Sequence, residues 1–254
     1  MIDRASGLPA YRQVANDLRT KIAAGDHAPG AQLPSERELV ERYEVSRPTI
    51  RQAIGVLRVE GLVLAEHGRG LFVRPKPRVQ RLGRNRLSRR ERSESRGTFL
   101  TDAHVNQFIP RVEVSIRVED ADGRIAELLN IAPGSPVVAR ERVMFADDLP
   151  VQLAIARLPR DLTQGTAIEE EDTGSGGIYA RLEENGHVLD HFTEFVTARL
   201  PSSDEATALH LNHGTPVLAV TRVALSSSGR VVEANDMVLP GDRYELMYEL
   251  PATE

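Results

Sequence analysis

Arg47, Thr49 and Arg51 stand close together behind a serine, and their side chains suit the reading of a nucleic acid. An arginine fork pairs bidentately with O6 and N7 of guanine, and a good pair discriminates against a wrong base by about 1–3 kcal/mol. Threonine offers a hydroxyl to a phosphate and a methyl to a thymine. Such groups reach base edges when the first turn of a helix carries them into a major groove. The sequence predicts that turn, with Ser46 as N-cap and Arg47, Pro48, Thr49 and Ile50 as the opening residues. Pro48 fits there because first-turn amides have no helical acceptor.

The elements that must position these groups are also legible. Ser35 can cap a preceding helix while Glu38 reaches back to close a capping box, which sends Leu39, Val40 and Tyr43 inward. Glu44 and Val45 then form a short break before Ser46. Ile50, Ile54 and Leu57 recur at helical spacing, so they face a core and leave Arg47, Arg51 and Arg58 outward. Gly61 ends that helix. Leu62 to Leu64 and Leu71 to Val73 read as short strands around a turn containing His67, Gly68, Arg69 and Gly70. Two glycines let backbone approach a phosphate or a minor groove, and Arg69 supplies charge at the tip. Each feature alone fits an ordinary solvated face; the conjunction predicts a winged helix-turn-helix.

The runs Leu33-Pro34-Ser35-Glu36-Arg37-Glu38, Val45-Ser46-Arg47-Pro48-Thr49-Ile50-Arg51-Gln52-Ala53, Glu60-Gly61-Leu62 and His67-Gly68-Arg69-Gly70 resemble the DNA-binding domain of GntR-family bacterial transcription regulators. The resemblance spans residues 9 to 74. It implies operator contacts by Arg37, Arg47, Thr49, Arg51 and Gly68; Pro48 stands where other members vary. With the neighbouring groups, the expected DNA-contacting set is Arg37, Ser46, Arg47, Thr49, Arg51, His67, Gly68 and Arg69.

A length of 254 residues suggests two domains, and 41% hydrophobic content allows each a core. The chain has no cysteine, which excludes disulfides, thiolate catalysis and cysteine-zinc sites and agrees with a reducing cytoplasm. No apolar run approaches the roughly 20 residues of a membrane span, and Met1 leads into polar residues rather than a signal peptide. A cytoplasmic protein is expected. The net charge of −5 looks wrong for a DNA binder until it is divided along the chain. Residues 1 to 78 sum to +4, residues 79 to 98 to +5, and residues 99 to 254 to −14. A basic front can approach phosphates, and an acidic rear should point away.

Residues 75 to 98 contain Pro75, Pro77 and eight arginines with little apolar periodicity, so they read as a mobile basic linker. Behind it the sequence repeats at an offset of 80. Ala126, Leu129, Gly134, Pro136, Val137, Arg142 and Val151 recur as Ala206, Leu209, Gly214, Pro216, Val217, Arg222 and Val231. Each copy reads as an alternating strand, a short helix, a Gly-x-Pro turn, and a strand with a hairpin return. Two such units bury their apolar faces only together, as one antiparallel sheet with packed helices and a cleft between the halves.

Pro133 to Val137, Arg140 to Arg142, Leu149-Pro150-Val151, His213 to Val217 and Gly241 to Tyr244 resemble the UTRA effector-binding domain of the HutC-type branch, which shares its architecture with chorismate lyase. That resemblance spans about residues 99 to 250. In sugar-phosphate-responsive members an arginine pair and a Ser or Thr near the domain start hold the phosphate, while an acid and a tyrosine read hydroxyls. Arg142, Thr98 and Glu233 match three of these; Met144 replaces the second arginine and Leu239 the tyrosine. The expected effector set is therefore Thr98, Arg142, Met144, Glu233 and Leu239, for a less anionic, more apolar molecule. Arg142 equally fits an ion pair within the sheet, as its repeat mate Arg222 does.

Other chemistry is thin. His187 and His191 are four apart, and His210 and His213 three apart, spacings that suit a metal on a helix. The first pair reads as strand, where four positions span about 13 Å. The acidic run Glu169 to Asp172 and Gly174 to Gly177 read as a flexible loop and a candidate lid, since no Gly-Lys-Ser/Thr follows. The expected class is α+β: a winged helix-turn-helix at 1–74, a basic linker at 75–98, and a UTRA effector-binding and dimerisation domain at 99–254. The expected protein is a homodimeric repressor that binds a palindromic double-stranded operator and a small-molecule effector, without metal, cofactor or membrane. The alternatives are an activator, and a chorismate lyase-like enzyme fused to a DNA-binding head.

Overall fold

Ser35 opens the second helix of the head with both halves of a capping box, its side chain accepting from the Glu38 amide while Glu38 returns to the Ser35 amide at 2.7 Å. The computed structural model describes residues 2–3, 7–66, 68–74, 79–82, 87, 98–212 and 214–248. They belong to two units, Met1–Lys76 and Pro77–Glu254. In the first, helices α1 (Ala10–Ala24), α2 (Glu36–Tyr43) and α3 (Arg47–Val59) precede an antiparallel hairpin of β1 (Val63–Glu66) and β2 (Gly70–Val73). Val14 and Leu18 of α1, Leu39 of α2, Ile50 and Leu57 of α3 and Val63 and Val73 of the hairpin make one core. The inward and outward residues fall where the helical spacing predicts them.

The second unit is built around a six-stranded antiparallel sheet. Its strands are β4 (Pro110–Asp120), β5 (Pro136–Ala146), β6 (Leu149–Pro159), β7 (Leu189–Arg199), β8 (Val217–Ser226) and β9 (Val231–Pro240). The order β4-β5-β6-β9-β8-β7 reads alike from both edges, which is the 80-residue repeat expressed as a pseudo-twofold about the β6·β9 seam. Helices α4 (Thr98–Asn106), α5 (Gly123–Leu129), α6 (Gly177–Glu184) and α7 (Ser203–Ala208) complete it. Ile125 and Leu129 of α5 pack on Val137 and Ala234, the face of the sheet opposite Arg142 and Glu233 by strand alternation. No helix among the described residues is long and apolar enough to cross a membrane.

Two segments depart from expectation. Within the residues read as a mobile linker, Val79–Leu82 forms β3, which runs parallel to β10 (Tyr244–Met247). The cause is burial: Val79 is fully enclosed with Phe99, Met237 and Tyr244, and Asn106 clamps Gln80 through its amide at 2.7 Å and its carbonyl at 3.0 Å. The remaining linker residues, Leu87 and Thr98 apart, lie outside the described residues. The second segment is the acidic candidate lid, which Arg140 holds by its backbone. The guanidinium donates to the carbonyls of Ile168, Glu170 and Glu171, and Gly177 already belongs to helix α6.

Candidate functional site

The residues expected to read bases, Arg47, Thr49 and Arg51, lie together on helix α3. Ser46 caps α3, its hydroxyl 2.8 Å from that of Thr49. Arg47 and Arg51 are exposed one turn apart, and Glu36 of α2 accepts from both, at 2.7 Å and 3.1 Å. These bonds, first that of Arg47 and then that of Arg51, hold the Glu36 carboxyl below the usual carboxylate range against a modest opposing effect of burial. Arg37 projects from α2 as a highly exposed side chain, 3.7 Å from Glu41. At the wing Gly68 has φ +72°, and Gly70, at φ +114°, passes so close to Gln32 that a Cβ would lie 2.8 Å from its amide nitrogen. Gln32 donates to the Arg69 carbonyl at 2.7 Å, and the Arg69 guanidinium lies over the Phe72 ring at 5.4 Å. His67 lies outside the described residues.

In the second unit, a cavity of about 690 Å³ opens on the face of the sheet that carries α4 and α6. Arg140, Arg142 and Met144 alternate along β5 into it, joined by Arg222 of β8, Glu233 and Asn235 of β9, Tyr179 of α6 and Phe99 of α4. Arg142, Met144 and Glu233 are thus brought together. Leu239 is not among the lining residues; six positions beyond Glu233, or roughly 20 Å along the strand, it is wholly buried in the apolar core. Thr98 opens α4 immediately before the lining residue Phe99, and its side chain lies outside the described residues.

The three arginines differ in their surroundings. Arg140 is tied to the carbonyls of the 168–171 loop, and burial, with Arg142 adding repulsion, pushes its guanidinium down to about 10. Arg222 is wholly buried and donates through Nε and Nη2 to Glu194 Oε1, at 2.8 Å and 2.6 Å. Glu194 is its cross-strand partner on edge strand β7. At the matching place of the first repeat, across from Arg142 on edge strand β4, stands Val114. The repeat is thus asymmetric where it matters: the carboxylate built against Arg222 has an apolar counterpart beside Arg142.

Tyr179 donates its hydroxyl to Glu233 Oε2 and interacts electrostatically with Arg222. Burial pushes the Glu233 carboxyl up, against the lowering effects of the Tyr179 bond and of Arg222 and Arg142. Glu233 Oε1 and Asn235 Oδ1 are buried and meet no donor among the described residues. The cavity therefore presents two acceptors deep on β9, cationic groups on β5 and β8, and apolar walls from Phe99, Met144 and Ile178. Tyr179 and Asn235 were not singled out from the sequence. The helix bearing Tyr179 left a signal in Ile178, Tyr179 and Leu182, spaced as one buried helical face.

Comparison with known proteins agrees with this geometry. Residues 10–73 match the family of bacterial regulatory proteins, gntR family, and residues 111–245 match the UTRA domain. An HTH-type transcriptional regulator of Streptomyces coelicolor is 31% identical over 95% of this chain and 92% of its own. The HTH-type transcriptional repressor NagR of Bacillus subtilis is 29% identical over 97% of each. A solved GntR-family regulator, 33% identical, superposes with a TM-score of 0.69 over 96% of this chain and 98% of its own. A winged head in front of a doubled sheet, matched in sequence across both parts, makes this chain a transcriptional regulator of the GntR family that carries a UTRA domain.

Proposed function

We propose that the protein is a homodimeric, HutC-type repressor released from a palindromic operator when a small molecule fills the cavity of its UTRA domain. The observation that carries the reading is the convergence of Arg142, Met144, Glu233 and Asn235 on one cavity, in a chain whose head displays Arg47 and Arg51 on a capped first turn. Two heads are needed because operator half-sites lie about 34–36 Å, or a multiple, apart. Arg37, Ser46, Thr49, His67, Gly68 and Arg69 complete the proposed DNA surface, and residues 1–74, 75–98 and 99–254 are the proposed head, connector and effector domain. The reading places the protein in the cytoplasm with the chromosome.

The effector brings hydrogen-bond donors for Glu233 and Asn235 and a carbonyl or single anionic group for Arg142. Met144 stands beside Arg142 where a second arginine would complete a clamp, which favours one anionic contact over a phosphate. The domain binds its ligand and returns it unchanged, rather than turning it over. Leu239 drops out of the proposed set because it does not line the cavity.

The test is capture of sequenced genome fragments by the purified protein at moderate salt, with sedimentation to count protomers. A sharp palindromic site bound by a dimer supports the reading, and raised transcription of the adjacent genes on deletion fixes its sign as repression. Sequence-indifferent, salt-sensitive capture would overturn the operator, and lowered transcription on deletion would make it an activator.

A further inference from the structure

One carboxylate oxygen is shared between the wall of the cavity and the connector. Glu194 Oε1 accepts from Arg222, which lines the cavity, and the same oxygen accepts from Arg81 Nη2. Arg81 is only 3% exposed and lies on β3, seven positions after Arg74, the last described residue of the head. Its other terminal nitrogen rests 3.9 Å from the sulfur of Met237 on β9. On the cavity side, Arg222 interacts electrostatically with Tyr179, which in turn donates to Glu233. An unbroken series of polar contacts therefore runs from Glu233, through Tyr179, Arg222 and Glu194, to Arg81.

The strand at the end of that series is weakly held by backbone alone. β3 has four residues and pairs along one edge with β10, itself only four residues long. A two-stranded pair of this length is marginal without side-chain anchoring. Arg81 is such an anchor, because a guanidinium this deeply buried is costly unless paired and Glu194 supplies it a carboxylate. Two guanidiniums on one oxygen draw on the same charge. A guest that pulls Arg222 toward the cavity leaves Glu194 to Arg81; a guest that reorients Tyr179 presses Arg222 more firmly on Glu194.

We infer that Glu194 and Arg81 are positioning residues of the effector response: occupancy of the cavity sets, through Arg222 and the shared Glu194 oxygen, how firmly β3 is docked. The inference rests on the regulator reading for its biological sense, since β3 is the docked part of the chain leading to the head. Its physical content is a coupling between two sites, and coupling is reciprocal: whatever the cavity does to β3, undocking β3 does to the cavity.

Hydrogen exchange on the full chain tests it without DNA or effector. Glu233→Gln alters the cavity end of the series. It should change the exchange rate of residues 79–82 threefold or more relative to strand β5, which should exchange no faster than in the wild type as the check on folding. In an Arg81→Met background the same substitution should leave that segment's rate unaltered. Tyr179→Phe provides a second cavity variant where Glu233→Gln disturbs β5. The reciprocal arm needs no cavity variant: Arg81→Met alone should speed exchange of α6, which carries Tyr179, by a similar factor. Unchanged exchange of 79–82 in the cavity variants, persistence of their effect without Arg81, or an α6 indifferent to Arg81→Met overturns the relay. Such a failure leaves the regulator reading standing, because fragment capture tests that separately.

Discussion

Glu36 Oε2 accepts from Arg47 Nε at 2.7 Å, so a carboxylate of the second helix holds the leading arginine of the third in the DNA-free head. Arg51 reaches the same oxygen at 3.1 Å. The carboxylate orients both forks outward and offsets their mutual repulsion. It also competes with phosphates, and exposed pairs of this kind contribute about 0.2–1 kcal/mol.

Glu36→Gln keeps an acceptor for the arginines and removes the charge. We predict up to about fivefold tighter binding to random duplexes, the equivalent of about 1 kcal/mol, and a smaller ratio of operator to random affinity. Fluorescence anisotropy at two salt concentrations measures both. Unchanged affinity for random DNA would mean that the pair persists in the complex.

Ser46→Ala removes the cap of α3. The expected cost is about 1 kcal/mol of head stability, within a range of about 0.5–2, and roughly 4–8 °C in the melting of a unit this small. Operator affinity should fall with it, because Arg47 and Thr49 occupy the turn that loses its cap. Calorimetry that shows the head transition unmoved would assign the orientation of that turn to Glu36 instead.

These residues were legible because their physics is local. Ser35 with Glu38 and Ser46 with Pro48 complete their structures within four residues, and the 80-residue repeat announced a doubled sheet. What stayed hidden depends on distant partners. β3 reads as linker because its four residues acquire strand character only beside Tyr244 to Met247, more than 160 positions away. The Glu169 to Asp172 run reads as a free loop because its anchor, Arg140, is about thirty positions upstream. Leu239 shares the strand and the face of Glu233, and sequence alternation cannot say how far along a strand a cavity extends.

Arg142→Ala should abolish effector binding and leave operator affinity within about twofold. A compound present at 100 times its Kd stabilises the protein by about 2.7 kcal/mol, which raises the melting temperature of a unit of this size by roughly 5–10 °C. Thermal-shift screening of metabolites against the wild type finds such a compound, and the variant should then show no shift. A variant that still responds in full would move the anionic contact to another arginine of the cavity.

Glu233 links the cavity to pH. Its carboxyl is held above the ordinary 4.5 by burial, so between that value and its folded pKa the native state binds more protons than the unfolded chain. Stability from this group is therefore complete at and below the ordinary carboxylate range and declines as pH rises through the folded pKa. Glu233→Gln keeps the shape and an oxygen for Tyr179 and cannot ionise. It should flatten the decline and raise the melting temperature at neutral pH, by about 2–4 °C for each kcal/mol of relief. Melting curves of both proteins from pH 4 to 8 provide the comparison. Parallel pH profiles would show that Glu233 titrates alike in the folded and unfolded chain, so that near neutral pH the effector's donor would face a carboxylate charge rather than a neutral acid.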